Sequence, residues 1–225
     1  YDATYAKKCL DAAWVSYRFL QENPEYKRFK QGDFKTGGYQ TRDNDDRLWA
    51  AAELWATTGD ESCLRDFEKR AAAIDFKIQE NWDWQNVSNL AMYSYALSAR
   101  KGKNSEAEAT IKKNIIANAD TLVEKGEADV YSRALGGRYY WGCNGTVARQ
   151  TVNLQVANLI QPNPKYKQAA IGIVDHIFGK NYYNRSFVTG LGINPPMFPH
   201  DRRSGADNIK APWPGYLVGG GHGGC

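Results

Sequence analysis

Residues 48–67 read LWAAAELWATTGDESCLRDF, two apolar stripes at helical spacing joined by the turn TTGD. Leu48, Ala51, Ala52 and Trp55 mark one face of a helix, and Leu64, Phe67, Ala71 and Ile74 mark another directly after it. Asp60 stands where its carboxylate can cap the second helix. Helices joined by so short a turn must run antiparallel. The same unit recurs as Leu90, Tyr93, Ser94 and Leu97, the turn RKGKNSE, then Ile111, Ile115, Ala119 and Leu122. It recurs again as Ala148, Val152, Val156 and Leu159, the turn QPNP with Pro164 at a helix start, then Tyr166, Ala169, Ala170, Ile173 and Ile177. A further stripe, Ala6, Cys9, Leu10, Ala13, Tyr17 and Leu20, lies near the start of the chain. No strand–helix alternation is present. The expected fold class is therefore all-α, built of consecutive antiparallel helix hairpins. The pairs share no repeated motif, which argues against a regular solenoid and for a closed ring of hairpins, an α/α barrel.

Length and composition bound the partners. The 225 residues suffice for one large domain with a core, and a hydrophobic share of 42% excludes disorder. The net charge of +4 comes without a run of five like charges, so neither a nucleic-acid arm nor a membrane-binding patch is expected. No apolar stretch approaches a membrane span, and nothing reads as a signal peptide. The chain opens on Tyr1 rather than Met, so it is expected to be processed or cut from something longer. Cys9, Cys63, Cys143 and Cys225 have no metal-like spacing and leave the redox compartment open. The aromatic surplus, with 7 Trp and 14 Tyr, fits either core rings or exposed platforms that stack on a ligand, sugars being the commonest fit.

Irregular stretches fall at about 30–44, 79–86 and 126–146, and from 180 to the end. Such long irregular segments in a compact domain are usually functional. The last holds Phe187, Val188, Leu191, Ile193, Met197, Trp213, Tyr216, Leu217 and Val218, too apolar for disorder, and reads as a packed, ligand-facing loop. Within it His200, between Pro199 and Asp201, is poorly placed for an apolar core. Arg202 offers a rigid fork of donors suited to hydroxyls or a carboxylate. The competing reading is a structural ion pair of Asp201 with Arg202 or Arg203. His176 reads as a satisfied core residue, and His222 carries no signal. Thr41, Asp43, Asp45 and Asp46 crowd oxygen donors just before a helix, an arrangement that suits a hard cation such as calcium, although helix capping favours acids there too.

The segment SFVTGLGINPPMFPHDRR, Ser186 to Arg203, resembles the histidine signature of the family-nine glycoside hydrolases, the cellulases. Ser186, Val188, Thr189, Gly192, Asn194, Pro199, His200 and Arg202 occupy its fixed positions. The segments HIFGKNYYNRSFVTG, APWPGYLVGGG, YYWGCNGTVARQ and NDDRLWAAAELWATTGD are similar to the same family, so the likeness covers the whole chain. The resemblance implies an (α/α)6 barrel, incomplete here, with residues 1–225 forming part of one catalytic domain. It implies hydrolysis of β-1,4-glucosidic bonds with inversion, on a β-1,4-glucan polysaccharide or cello-oligosaccharide, by a secreted enzyme. His200 and Arg202 would bind the sugar beside the scissile bond and orient the catalytic groups. Trp141 would stack on a glucose face, with Tyr140, Trp82 and Trp84 as further candidates. Calcium would sit at Asp45 and Asp46, helped by Asp83 and by the loop of Thr41 and Asp43. Three N-glycosylation sequons, at Asn86, Asn144 and Asn184, read as chance, since two lie in loops assigned to the cleft.

Inversion needs a carboxylic acid and a carboxylate on opposite sides of the bond, about 6.5–9.5 Å apart. In the family these belong to a DAGD-like motif and an NE-containing segment, and neither occurs here. The chain is therefore expected to start after the first and stop before the second, to need the remaining segments of its own domain, and to be inactive alone. Two other readings compete: a non-catalytic carbohydrate-binding barrel, and another α/α-barrel sugar enzyme such as a lyase drawing its acids from Asp43, Asp201 and Asp207.

Overall fold

The computed structural model describes residues 2–28, 30, 32–33 and 42–223. These form α1 (Ala3–Glu22), α2 (Asn44–Thr58), α3 (Glu61–Ala72), α4 (Ser88–Leu97), α5 (Ser105–Glu127), α6 (Cys143–Ile160), α7 (Pro164–Phe178) and the short α8 (Arg202–Ala206). Among the described residues the β pairing consists of two isolated bridges, Asp83 with Asn86 and Val188 with Leu217. No described helix is long and apolar enough to cross a membrane. The chain divides into two compact units, Tyr1–Lys112 and Lys113–Cys225.

In the first unit the turn between α2 and α3 forms as its residues dictate. Gly59 closes α2 with φ of 79°, and the Asp60 carboxylate accepts from the N–H groups of Ser62 and Cys63. A side chain at Gly59 would meet the Arg100 guanidinium at 2.7 Å, and that guanidinium donates to the Ala56 and Thr57 carbonyls at the end of α2. The core is an aromatic stack in which the Phe67 and Tyr95 rings lie 4.6 Å apart and Trp55 lies 5.3 Å from Tyr95. The Tyr95 hydroxyl donates to Glu68.

Two stripes differ from expectation in this unit. α1 forms over its stripe, yet of its residues only Tyr17 is buried. Ala6, Cys9, Leu10, Ala13 and Leu20 instead line an open, mainly apolar groove of about 550 Å³ against Ala50, Leu54 and Thr57 of α2. In α4 the buried set is Ala91, Met92, Tyr93, Tyr95 and Ala96 together with Ser88 and Asn89, while Leu97 is exposed. A helix covered on several sides loses the amphipathic period on which the stripe rested.

In the second unit Ile115, Ala119 and Leu122 of α5 are buried, as are Tyr166, Ala170, Ile173 and Ile177 of α7, all expected. Asn163 caps α7 and Pro164 opens it. α6 is rotated from the expected register, with Val152 and Leu159 exposed and Gln150 and Asn153 buried. Hydrogen bonds make that register tolerable: Gln150 donates to the Ala134 carbonyl and Asn153 to Asn118.

Candidate active-site loops

The tail after α7 is tied to itself by its own signature residues, all within the second unit. Thr189, fully buried, donates its backbone N–H to the Tyr216 carbonyl and accepts from Gly215. Its hydroxyl donates to the Trp213 carbonyl at 2.5 Å and accepts from the Tyr216 N–H at 3.0 Å. Val218 donates to the Phe187 carbonyl. Gly190 has φ of 68°, and a Cβ there would strike Pro214 at 2.7 Å, so the two strips approach as only glycine allows. Gly192 packs on Ser186 in the same way, and Ser186 accepts from the Val188 N–H. Ser186, Thr189 and Gly192 thus build the platform beneath the loop.

On this platform sits α8. Asp201 is its N-cap, accepting from the Ser204 N–H at 3.1 Å, from the Tyr216 hydroxyl at 2.8 Å and from Arg203 Nε at 3.3 Å. The bond from Tyr216 does most to hold the Asp201 carboxyl below the usual carboxylate range, with the Ser204 N–H and Arg203 adding to it. The Arg203 guanidinium also lies over the Trp213 ring, 5.6 Å from its centre, and the Trp213 indole N–H donates to Asp207. The ion pair left open by the sequence is therefore Asp201 with Arg203. His200 and Arg202 are exposed, and neither makes an ion pair or side-chain hydrogen bond among the described residues.

Trp141 lies in the loop before α6 and is 84% exposed, with Tyr140 half-buried beneath the Arg138 guanidinium. The neighbouring Tyr139 is stacked by the buried Arg133, which pairs with Asp129. This loop is bonded to the glycine-rich strip that continues from Val218. Asn144, in the first turn of α6, donates its backbone N–H to the Gly219 carbonyl and its side-chain amide to the Val218 carbonyl, and Gly223 donates to the Tyr139 carbonyl. Gly220 has φ of 94° and no room for a side chain, since a Cβ would lie 2.6 Å from the Asn144 amide. Segment 213–223 therefore carries the His200 loop on one stretch and the Trp141 loop on the next.

His176 is buried as expected, between the Tyr131 and Phe187 rings, but it is not satisfied, because its Nδ1 has no partner among the described residues. Burial first, then Arg133, pushes its imidazole down to about 4. Sequence reasoning missed Arg133 and read Tyr216 only as an apolar residue of the tail, whereas Arg203 was already one of the two partners offered for Asp201. The sequence signal for Tyr216 and Arg133 was position alone, after the signature and before an aromatic run.

The acid cluster belongs to the first unit. Asp43 precedes α2 and is engaged by Arg47, whose guanidinium also caps the end of α1 through the Leu20 and Asn23 carbonyls. Asp45 accepts from the Val87 N–H at 2.7 Å, and Asp83 accepts from the Gln85 N–H. Asp46 is exposed, and its carboxyl is pushed up by partial desolvation, then by the charges of Asp45 and Asp43. Thr41 lies outside the described residues. Among the described residues no group of three or more His, Cys, Asp or Glu converges closely enough to hold a metal. The oxygen donors suit a hard cation in kind, yet Asp43 and Asp45 are already committed, so they do not form a finished site. Trp82 is buried and presents no open face in this chain, whereas Trp84 is 53% exposed.

Comparison with known proteins places this architecture. The chain is 59% identical over 222 residues to Endoglucanase D of Acetivibrio thermocellus, a match that covers 98% of this chain and 36% of that protein. It is 29% identical to a xyloglucan-specific endo-beta-1,4-glucanase of Bacteroides ovatus, covering 96% of this chain and 38% of the relative. The chain thus spans little more than a third of the length of these curated relatives. Its fold matches the crystal structure of the family 9 endoglucanase J30 with a TM-score of 0.87 at 30% identity, over 96% of this chain and 40% of that one. The helices are accordingly part of an (α/α)6 barrel. The model of glycosyl hydrolase family 9 matches residues 1–223, and the chain belongs to that family.

Proposed function

We propose that this chain is the sugar-orienting part of a catalytic domain that hydrolyses β-1,4-glucosidic bonds in cellulose or a related β-glucan with inversion. The observation that carries the reading is the pair His200 and Arg202, exposed and without side-chain partners among the described residues, beside Asp201, Arg203 and Ser204, which are bonded. Trp141 stands exposed on the adjacent loop of the same support. A ring face and a set of free donors are what a glucose unit requires, the ring for its apolar face and the donors for its hydroxyls. In this reading Trp141 holds one sugar by stacking, Arg202 donates to hydroxyls, and His200 bonds beside the scissile linkage. The paired carboxyls required for inversion come from other segments of the domain. Those segments would also cover the open α1 face, which a barrel helix does not leave to solvent. A polymeric glucan does not cross membranes, so the enzyme acts outside the cell. Calcium near Asp45, Asp46 and Asp83 is part of the proposal, supported by the like charges of Asp45 and Asp43, which add to desolvation in raising Asp46.

The test uses the full-length enzyme that carries this sequence. His200→Ala and Arg202→Ala should each lower turnover on soluble β-glucan by orders of magnitude with the fold intact, and the wild type should release product of inverted anomeric configuration. Variants at wild-type rates would refute the reading. Binding of cello-oligosaccharide by the full-length wild type without any turnover would favour a non-catalytic binding protein.

A further inference from the structure

We propose that Tyr216 is a positioning residue that acts through Asp201 to hold His200 and Arg202 in the orientation that meets the sugar. The proposal rests on the reading of that pair as the sugar-contacting one. Asp201 lies between the two, in extended conformation, and of residues 200–202 it is the one whose side chain is bonded among the described residues. It is held from three sides: the Ser204 N–H of its own helix turn, Arg203, and the Tyr216 hydroxyl. The first two move with the loop, since they are its immediate neighbours. Among the described residues Tyr216 is the group that reaches Asp201 from the other strip, while the next turn of the loop is tied to that strip separately, through the Trp213 N–H that donates to the Ser204 hydroxyl.

That strip is fixed. Both backbone groups of Tyr216 are bonded to Thr189, which is fully buried and has its own hydroxyl saturated between the Trp213 carbonyl and the Tyr216 N–H. The phenol therefore projects from an immobile root. Its oxygen also accepts from Arg203 Nη2 at 3.3 Å, while the rest of that guanidinium lies over Trp213. Without the hydroxyl, Asp201 keeps only Arg203 and its own helix turn, and the stretch 200–202 can shift about the points that remain fixed, Ser204 on the Trp213 N–H and Arg203 over the Trp213 ring. A displacement of about 1 Å at a group beside the reacting bond is enough to lower turnover about a hundredfold.

The experiment is Tyr216→Phe in the full-length enzyme, which keeps the ring and removes only the hydroxyl. We expect kcat on soluble β-glucan to fall by roughly ten- to a hundredfold, with KM nearly unchanged and the melting temperature within a few degrees of wild type. A structural role would move the melting temperature and leave kcat per folded molecule alone. Combined with His200→Ala, Tyr216→Phe should add little further loss, because both act on one element. Wild-type kcat in Tyr216→Phe, or losses that multiply independently in the double variant, would overturn the proposal. If Tyr216→Phe does not fold, Asp201→Ser keeps a cap oxygen for α8 on a shorter side chain that withdraws the acceptor from the Tyr216 hydroxyl. The same selective fall in kcat is expected there, and its absence overturns the proposal equally. Full turnover in His200→Ala alone would remove the underlying reading of the pair, an outcome separate from any result with Tyr216→Phe.

Discussion

The guanidinium of Arg133 lies 4.0 Å from the ring centre of Tyr139 and donates to Asp129 at 3.0 Å, with both charged residues nearly out of contact with solvent. Its Nε and Nη1 have no hydrogen-bond partner among the described residues, so the stacking is what orients the rest of the group. Arg133→Met would leave the Asp129 carboxylate without its counter-charge, held only by the backbone N–H groups of Tyr131 and of residue 133. The expected loss is about 3 kcal/mol of stability, together with weaker cello-oligosaccharide binding through the adjoining Trp141 loop. Arg133→Lys restores charge without the flat contact and should fall between. Denaturant unfolding of the full-length protein reads the first effect, and calorimetric titration the second. A Met variant as stable as wild type would show that the pair contributes nothing net.

His176 makes stability depend on pH in a definite direction. In the folded chain burial and Arg133 push its imidazole down to about 4, Asp129 opposing them, while in an unfolded chain a histidine titrates near 6.5. Between those values the unfolded state binds a proton that the folded state refuses. Stability therefore declines as pH falls from about 6.5 toward 4, and this group adds no further change below that. In His176→Asn that part of the decline should vanish, as measured by unfolding midpoints at pH 7, 6, 5 and 4. An identical slope in the variant would place the acid sensitivity elsewhere.

If calcium binds near Asp45, Asp46 and Asp83, a chelator should lower the melting temperature of the full-length protein and added calcium should restore it. Ligand present at about a hundred times its dissociation constant stabilises by about 2.7 kcal/mol. Asp46→Asn should abolish the chelator effect and, by removing a like charge from the first turn of α2, should cost little stability of its own. A melting curve indifferent to chelator and calcium would end the metal reading and leave Asp43 and Asp45 with their present structural partners.

Made by itself, the chain of residues 1–225 should release no reducing sugar from soluble β-glucan. It should also bind a hydrophobic dye through the apolar α1 groove, where Leu10 and Leu20 face Leu54 across open space. Steady turnover, abolished by Asp201→Asn or Asp207→Asn, would relocate the catalytic acids to this tail.

What could be read beforehand follows a physical line. Helix existence was legible wherever one face is buried and one is wet, as in α3 and α7, and caps were legible at Asp60 and Pro164 because capping is local chemistry. The inward face of α6 was not, because Gln150 and Asn153 are buried polar residues whose partners, Ala134 and Asn118, lie far away in sequence. The five-residue α8 was hidden for a similar reason: it exists because Asp201 caps it within a loop otherwise shaped by Thr189 and Tyr216. His200 and Arg202 were identified from a motif. That neither has a bonding partner in the described structure, while Asp201 and Arg203 beside them do, required the fold.

Segment 213–223 has a mechanical consequence. Because the same short strip bonds to the His200 loop near Tyr216, to the first turn of α6 through Asn144 and to Tyr139 through Gly223, the gauge between Trp141 and the His200–Arg202 pair depends on one ribbon of backbone and on the helix end it is bonded to. Substitutions in helices that do not touch the strip should leave that gauge unchanged. A single residue inserted into the ribbon would change that gauge at once, even if every helix stayed where it is.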